Sequence, residues 1–133
     1  MSNFIQSNQP IFIPDADYTV GAADTGKIFM ISTVTGLRTI TLPAVSAGLH
    51  YIFINKAPGA LGAAGQNVRI TGGALSMQGI LLVGAAAGPV ANAYVNFIGV
   101  TSLKGDRLDV ICDGIQWSVV ATASLNGAFT ATG

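Results

Sequence analysis

Short apolar runs alternate with polar and glycine-rich breaks along most of the chain. In RTITL the two threonines fall on one side of an extended strand, and Ile40 and Leu42 fall on the other. LHYIFIN, residues 49–55, is apolar on both sides, which is typical of a strand covered on both faces. Gly, Pro and Asp separate these runs at short intervals. The pattern predicts an antiparallel β-sandwich of about eight to ten short strands, of which a jelly roll is one form.

An Asp-Gly pair at positions 113 and 114 marks a turn in the last third of the chain. This dipeptide is typical of two-residue hairpins with a type I′ turn, because both central residues of that turn need positive φ. RLDVIC before the pair predicts one strand, and IQWSVVA after it predicts the returning strand. We expect Ile115, Trp117 and Val119 to face the core.

Three of the six acidic residues lie within eight positions, at Asp106, Asp109 and Asp113. Asp106 and Asp113 are expected at opposite ends of one strand, about 20 Å apart at ~3.3 Å per residue. A catalytic carboxylate pair or a metal site needs its oxygens much closer together. We therefore predict turns at both ends of this strand, and a solvated or interface-paired Asp109 that shares a strand face with Arg107.

The two ends of the chain are polar and weakly patterned. Residues 1–9 predict a polar N-terminal arm, residues 10–123 carry the sandwich pattern, and residues 124–133 predict a C-terminal tail. The initial methionine and these two ends lead us to expect a complete small protein. At this length a single core can fold without disulfides. The one cysteine, Cys112, is expected to be buried in a strand.

Composition points to an assembled protein. Half of the residues are hydrophobic, only 9% are charged, and six cationic side chains balance six anionic ones. The surface of a soluble monomer is normally about a quarter or more charged. We therefore expect other subunits, a larger assembly or lipid to cover part of the surface. The few arginines are scattered, so the sequence predicts no nucleic-acid partner.

The sequence lacks the residue combinations that known types of active site need. His50, the single histidine, lies in an apolar strand. No GxSxG elbow, HExxH, CxxC or strand-linked GxGxxG occurs. The sequence predicts that the protein is not an enzyme and has no catalytic residue, cofactor or metal site.

Residues 79–100 form an uncharged stretch that is long enough to cross a bilayer. Gly84, Gly88 and Pro89 interrupt its middle, and ANAYVNFIG alternates as a strand does. We therefore predict strands here and no membrane partner, and we retain a membrane-active β-protein as a third hypothesis. The first ten residues have no basic segment followed by an apolar one, so they do not resemble a secretory signal.

A resemblance to known proteins is carried by four segments: DTGKIFMIS, TGLRTITLPAVSAGLHYIFIN, KGDRLDVICDG and IQWSVVA. Together they resemble small β-domains of the virion structural proteins of tailed phages, across roughly residues 24–121. The resemblance implies a structural role in fibres, tail parts or head decoration, often as a homotrimer. It implies no catalytic residues.

Low charge and this resemblance predict a capsid decoration, or cement, protein on the outer capsid surface of a virion. Its expected partners are copies of itself, as a homotrimer, and the major capsid protein or another virion protein. It would clamp neighbouring capsid subunits, and the two ends of the chain would reach across the boundaries between them. The candidate capsid contacts are Asn3, Phe4 and Ile5 in the first arm, and Leu125 and Phe129 in the tail.

The alternative hypothesis is a tail or fibre-tip module that binds a host receptor glycan. Such a module needs an exposed aromatic ring beside polar groups. The candidate glycan contacts are Tyr18, Tyr94 and Trp117. Alternating apolar neighbours favour a core position for Trp117 over a sugar-stacking one.

Overall fold

Two β-sheets enclose one hydrophobic core in the computed structural model, which describes residues 9–73 and 76–133. The described strands, in chain order, are β1 (Ile11–Ile13), β2 (Tyr18–Thr19), β3 (Ile28–Ile31), β4 (Arg38–Thr41), β5 (His50–Asn55), β6 (Val68–Thr71), β7 (Met77–Val83), β8 (Ala86–Asn92), β9 (Tyr94–Phe97), β10 (Arg107–Cys112), β11 (Trp117–Ala123) and β12 (Phe129–Thr132). A single 3₁₀ turn, Ala22–Asp24, is the one helical element among the described residues.

The sheets have seven and five strands. The seven-stranded sheet has the order β1-β3-β5-β10-β11-β7-β8, and the five-stranded sheet has the order β12-β9-β6-β4-β2. The predicted all-β, sandwich-like fold is therefore confirmed, with twelve described strands instead of eight to ten. The jelly roll is not confirmed.

Both sheets mix parallel and antiparallel pairs, which corrects the expectation of an antiparallel sandwich. β1, β3 and β5 are parallel neighbours in one sheet, and β2, β4 and β6 are parallel neighbours in the other. From β1 to β6 successive strands of the chain belong to different sheets, so each strand pairs with the next strand but one in the sequence. A strand that returns after such a crossover runs parallel, whereas a tight hairpin makes an antiparallel pair, as β7–β8 and β10–β11 do.

The core is built from alternate residues of each strand. Tyr51, Phe53 and Trp117 are fully buried. The rings of Tyr51 and Trp117 lie 5.9 Å apart between centroids. The Tyr51 hydroxyl donates a hydrogen bond to the Gly21 carbonyl oxygen at 3.0 Å, so its burial leaves no unpaired hydroxyl. Cys112 is buried in β10, as its sequence context predicts.

A buried polar network joins the end of β5 to the start of β10. Asn55 Nδ2 donates to Ser102 Oγ at 3.0 Å, and Ser102 Oγ donates to Asp106 Oδ2 at 3.1 Å. The Leu103 amide donates to the same carboxylate oxygen at 2.8 Å. Asp106 therefore closes the turn that the sequence predicts before β10, and its buried carboxylate is held by internal donors.

The turn at Asp113 is confirmed, but its length differs from the prediction. Cys112 pairs with Trp117, so four residues connect the strands. Asp113 Oδ1 accepts the amides of Ile115 and Gln116 at 2.8 and 2.9 Å, and these bonds, that of Gln116 first, lower the pKa of Asp113. The inward orientation expected for Ile115 is wrong, because its side chain is 82% exposed at the tip of this turn.

The C-terminal segment belongs to the sandwich. β12 pairs with β9, and Phe129 is buried against Phe97 with a centroid distance of 4.5 Å. The expectation that Phe129 lies on a capsid-contacting arm is therefore wrong, because its ring is part of the core. Leu125 lies in the loop before β12 and is 44% exposed, so it stays a candidate contact. Asn3, Phe4 and Ile5 lie outside the described residues.

Residues 79–100 are largely strand, as the sequence predicts. They run from within β7, through β8, to β9 and the turn after it. In the described part of the chain no helix has the length and apolar character needed to span a bilayer.

Asp15 ties the loop after β1 to the turn before β4. Its carboxylate accepts a hydrogen bond from Arg38 Nε at 2.7 Å, and others from the hydroxyl and amide of Thr35 at 2.7 and 3.2 Å. The Arg38 bond, followed by those of Thr35, lowers the pKa of Asp15 from 3.8 to about 2. The ionised form is therefore the one that the folded protein favours.

This shift predicts an acid dependence of stability. A lowered folded-state pKa stabilises the protein fully above the unfolded value of 3.8, and the contribution is lost as pH falls through about 2. Asp15→Asn should lower the midpoint of thermal unfolding at neutral pH. The difference between the midpoints of the variant and the wild type should become smaller as pH falls from 3.8 to about 2. Thermal unfolding followed by circular dichroism between neutral pH and pH 2 measures both effects. A constant gap between the two proteins would contradict the assignment.

Candidate interaction surface

The outward side of the seven-stranded sheet is mostly apolar, and we call it the apolar face. Since successive side chains in a strand point to opposite sides, the residues between the buried ones face outward. Isoleucine, valine, leucine, methionine and phenylalanine occupy many of these positions. Phe12 is 61% exposed, Ile111 is 52% exposed and Val120 is 43% exposed. These side chains lie outside the core that the two sheets share.

Strand register arranges the apolar face in three rows across the sheet. The Arg107 row contains Phe12, Met30, Ile54, Arg107, Thr122, Leu82 and Ala87. The Asp109 row contains Ile28, Ile52, Asp109, Val120, Ile80 and Pro89. The third row contains His50, Ile111, Ser118, Gln78 and Ala91.

The dimensions of the apolar face are those of an interaction surface. Seven strands about 4.8 Å apart and rows about 6.6 Å apart give a face of roughly 30 Å by 20 Å, or roughly 600 Å². Contiguous apolar patches of more than a few hundred Å² mark binding sites on soluble proteins. The apolar side chains make up most of this area, so the face is a candidate contact surface.

One ion pair lies at the centre of this face. Arg107 Nε donates to Asp109 Oδ1 at 2.7 Å, and Nη2 donates to Oδ2 at 3.3 Å. The hydrogen bond to Asp109 raises the pKa of Arg107. β10, which carries both residues, is the fourth of the seven strands. The two charges cancel each other, and Lys56 adds one positive charge at the edge of the face, where its Nζ lies 4.6 Å from the centre of the Phe12 ring.

The outward side of the five-stranded sheet is polar, and we call it the threonine face. Register aligns Thr19, Thr41, Thr71, Tyr94 and Thr132 in one row, and Thr39, Arg69, Asn96 and Thr130 in the next. Several of these groups bond to each other, as Asn96 Nδ2 does to the hydroxyls of Thr130 and Thr132 at 3.1 Å. The two outer surfaces of the protein thus differ sharply in polarity.

The three candidate glycan contacts do not form one site. Trp117 is fully buried, so its assignment as a glycan contact is wrong. Tyr18 points inward, with its ring 6.2 Å from that of Phe29 between centroids. Tyr94 lies on the threonine face, where the Arg69 guanidinium carbon is 4.5 Å from the centre of its ring. Of the three, Tyr94 alone lies on an outer face.

Catalytic and metal-binding groups are not assembled in the described part of the structure. It contains no cluster of three or more His, Cys, Asp or Glu side chains that could hold a metal ion, and no pocket. Asp106 and Asp113 lie at opposite ends of β10 and are bonded to their own turns. Asp109 shares the outward side of β10 with Arg107, as the sequence predicts, and the two side chains form an ion pair within the chain.

Comparison with known proteins yields no relative. No family model matches the chain, and the searches of curated proteins and of solved structures give no match. The polarity of its two outer faces is the evidence on function that the molecule itself offers.

The sequence pattern predicts members of the apolar face, but not that they form one surface. Its signal was the strand 49–55, apolar on both sides, in which Tyr51 and Phe53 face the core while Ile52 and Ile54 face outward. β7 carries the same signal in Ile80 and Leu82. Only the strand order brings these residues together, because β5 and β7 are separated by two other strands in the sheet.

Proposed function

We propose that this chain is a virion structural protein, and specifically a capsid decoration protein that assembles with copies of itself and stabilises neighbouring capsid subunits. The apolar face is the observation that supports an assembly role. The resemblance of the strand and turn segments to small phage virion domains supports the virion as the place of assembly.

Burial of the apolar face is energetically favourable. Removing apolar surface from water contributes roughly 2.5 kcal/mol per 100 Å² before the costs of association are subtracted. Ile80 is 38% exposed and Leu82 is 42% exposed, so the apolar face of a single chain is still largely in contact with water. A decoration protein can use that free energy to hold copies of itself in place on a shell.

The threonine face suits the side that stays in water. Asn96 Nδ2 donates to the hydroxyls of Thr130 and Thr132. Other hydroxyls of this face bond to Arg69 or to a backbone carbonyl, so these polar groups are paired and their contact with water costs little. One apolar and one polar outer face give the protein a buried and a solvated side. This polarity fits a small protein that is added to a larger particle.

The proposal predicts attachment to capsids through the polar arm. Purified chain should bind heads of the virus that encodes it, prepared without this protein, and raise the temperature at which they release DNA. Removing residues 1–9 should reduce occupancy on heads without lowering the midpoint of thermal unfolding, because the described core begins after this segment. Occupancy is measured by sedimentation of heads with bound protein.

A matched pair of variants isolates the side chains of the arm. Phe4→Ser combined with Ile5→Ser should reproduce much of the loss, because it removes the two apolar side chains of residues 2–9. Ser2→Ala combined with Ser7→Ala should leave occupancy unchanged. Failure of the intact chain to bind heads would refute the decoration role, and full occupancy after removal of residues 1–9 would refute the role of the arm.

A second function, recognition of a host glycan, is favoured by Tyr94. Its ring lies on the threonine face next to Arg69, Asn96 and several hydroxyls, which is the mixture of ring surface and hydrogen-bonding groups that sugars contact. Binding to a glycan array that is lost in Tyr94→Ala would support this function. Head binding without glycan binding would support the first.

A further inference from the structure

We infer that a second copy of this chain covers the apolar face, in a face-to-face dimer whose two-fold axis runs across the strands at the level of Leu108. This inference rests on the proposed function, because it names the partner of the same face. It differs from the homotrimer that the resemblance implies.

The area of the face matches what a stable dimer needs. About this axis the Arg107 and Asp109 rows of the two copies cover each other, and the third row of each copy covers the strand ends beyond the Arg107 row of the other. The three rows, roughly 600 Å² on each copy, then bury roughly 1,200 Å² in total, which is the lower end of the range for specific protein interfaces. Stacked sheets pack about 10 Å apart, with their strands within about 30° of each other. The apolar face can therefore form a second sandwich layer with a copy of itself.

Charge selects the direction of the two-fold axis. Consider a two-fold axis that lies between the facing seven-stranded sheets of the two copies and runs perpendicular to their strands. It makes each strand run opposite to its counterpart in the other copy, so Arg107 of each copy lies over Asp109 of the other. The two ion pairs then form a square of alternating charges at the centre of the interface. An axis along the strands would place Arg107 over Arg107 instead. Because like charges facing each other in an interface are strongly unfavourable, the first arrangement is the one that this face fits.

The same axis matches apolar residues with apolar residues. It lies between two rows, so the Arg107 row of one copy covers the Asp109 row of the other. Ile54 lies over Ile52, and Leu82 lies over Ile80, in both directions across the axis. Met30 lies over Ile28 in the same way. The central ion pair is thus surrounded by side chains that exclude water, which strengthens the attraction between the charges.

The experiment exchanges the central charges. Size-exclusion chromatography with light scattering should give twice the chain mass of 13.5 kDa for the wild type. Arg107→Asp places two acidic groups at the centre of each face, and Asp109→Arg places two arginines there, so each variant alone should be monomeric. A mixture of the two variants should form a heterodimer, which native mass spectrometry distinguishes from either homodimer.

Two controls separate association from folding. Lys104→Asp changes the net charge as Arg107→Asp does, but it lies in an exposed loop outside the face, so it should remain dimeric. Circular dichroism should show folded monomers for both face variants, since the side chains of Arg107 and Asp109 are 47% and 37% exposed. Recovery of the heterodimer on mixing is itself evidence that both variants are folded.

Several results would overturn the inference. These are a monomeric wild type at every concentration, a mass of three chains, dimers of the single charge variants, or a mixture that stays monomeric. Failure of the proposed function has a different signature. A wild-type dimer that does not occupy heads would refute the decoration role alone, whereas a monomer that does occupy heads would refute the dimer alone.

Discussion

Replacing Trp117 with alanine is expected to lower the free energy of unfolding by about 3–5 kcal/mol. The indole is fully buried, lies 5.9 Å from the Tyr51 ring between centroids and fills the space beside Gly72, where a Cβ atom would collide with its ring. Alanine leaves a cavity in place of the indole, and the cost depends on how far the surrounding core can relax into it. Urea unfolding followed by circular dichroism measures the loss.

Trp117→Phe is the matched control for this prediction. Within the described part of the protein Trp117 Nε1 has no hydrogen-bond partner, so phenylalanine sacrifices volume without breaking a hydrogen bond. Its cost should therefore be well below that of Trp117→Ala. A loss of less than about 1 kcal/mol for Trp117→Ala would contradict the core position, because buried large-to-small substitutions rarely cost so little.

Replacing Gly79 with alanine is expected to cost about 3 kcal/mol, at the upper end of the range for overpacking. Gly79 lies in β7 opposite Val119 of β11, and a Cβ atom here would overlap the Val119 carbonyl oxygen. Because the obstructing atom is backbone, a change of rotamer cannot relieve the clash. The parallel pairing of β7 with β11, the sixth and fifth of the seven strands, would have to open locally.

Gly88→Ala tests the same change without the clash. Gly88 lies in the adjacent strand β8, and no atom lies within 4 Å of its ideal Cβ position. This variant should unfold within about 0.5 kcal/mol of wild type, or slightly above it, since alanine reduces the freedom of the unfolded chain. Equal stability of the two variants would show that β7 does not approach β11 as closely as the structure places it.

Local patterns in the sequence are sufficient to predict which side of many strands is buried. In RTITL, Ile40 is buried and Thr41 is exposed, as the alternation predicts. In IQWSVVA, Trp117 and Val119 face the core, while Ile115 does not. The error at Ile115 follows from turn length. An Asp-Gly pair identifies a turn through local backbone preferences, but the Asp113 carboxylate caps two further amides and extends this turn to four residues.

The pattern of apolar and polar residues does not predict which strands pair with each other. A strand with alternating residues fits beside a parallel or an antiparallel neighbour, and nothing in its own residues reports which neighbour it meets. The expectation of antiparallel pairing was therefore wrong for the pairs among β1 to β6, where the chain changes sheet at each step. The prediction that Phe129 lies on an arm was wrong for a related reason. The strand that carries Phe129 has only four residues, and it is buried only because it pairs with β9 and packs on the core.

The amino-acid sequence by itself determined the all-β class, the core side of most strands, the turns at Asp106 and Asp113, and a composition with few charged residues. These properties follow from spacing and composition, which act over a few residues. Only the tertiary structure decided that the surplus apolar residues of five separate strands and the edge residue Phe12 form one continuous face with the Arg107–Asp109 pair at its centre. That face is a property of strand order, which depends on the free energy of packing the whole chain.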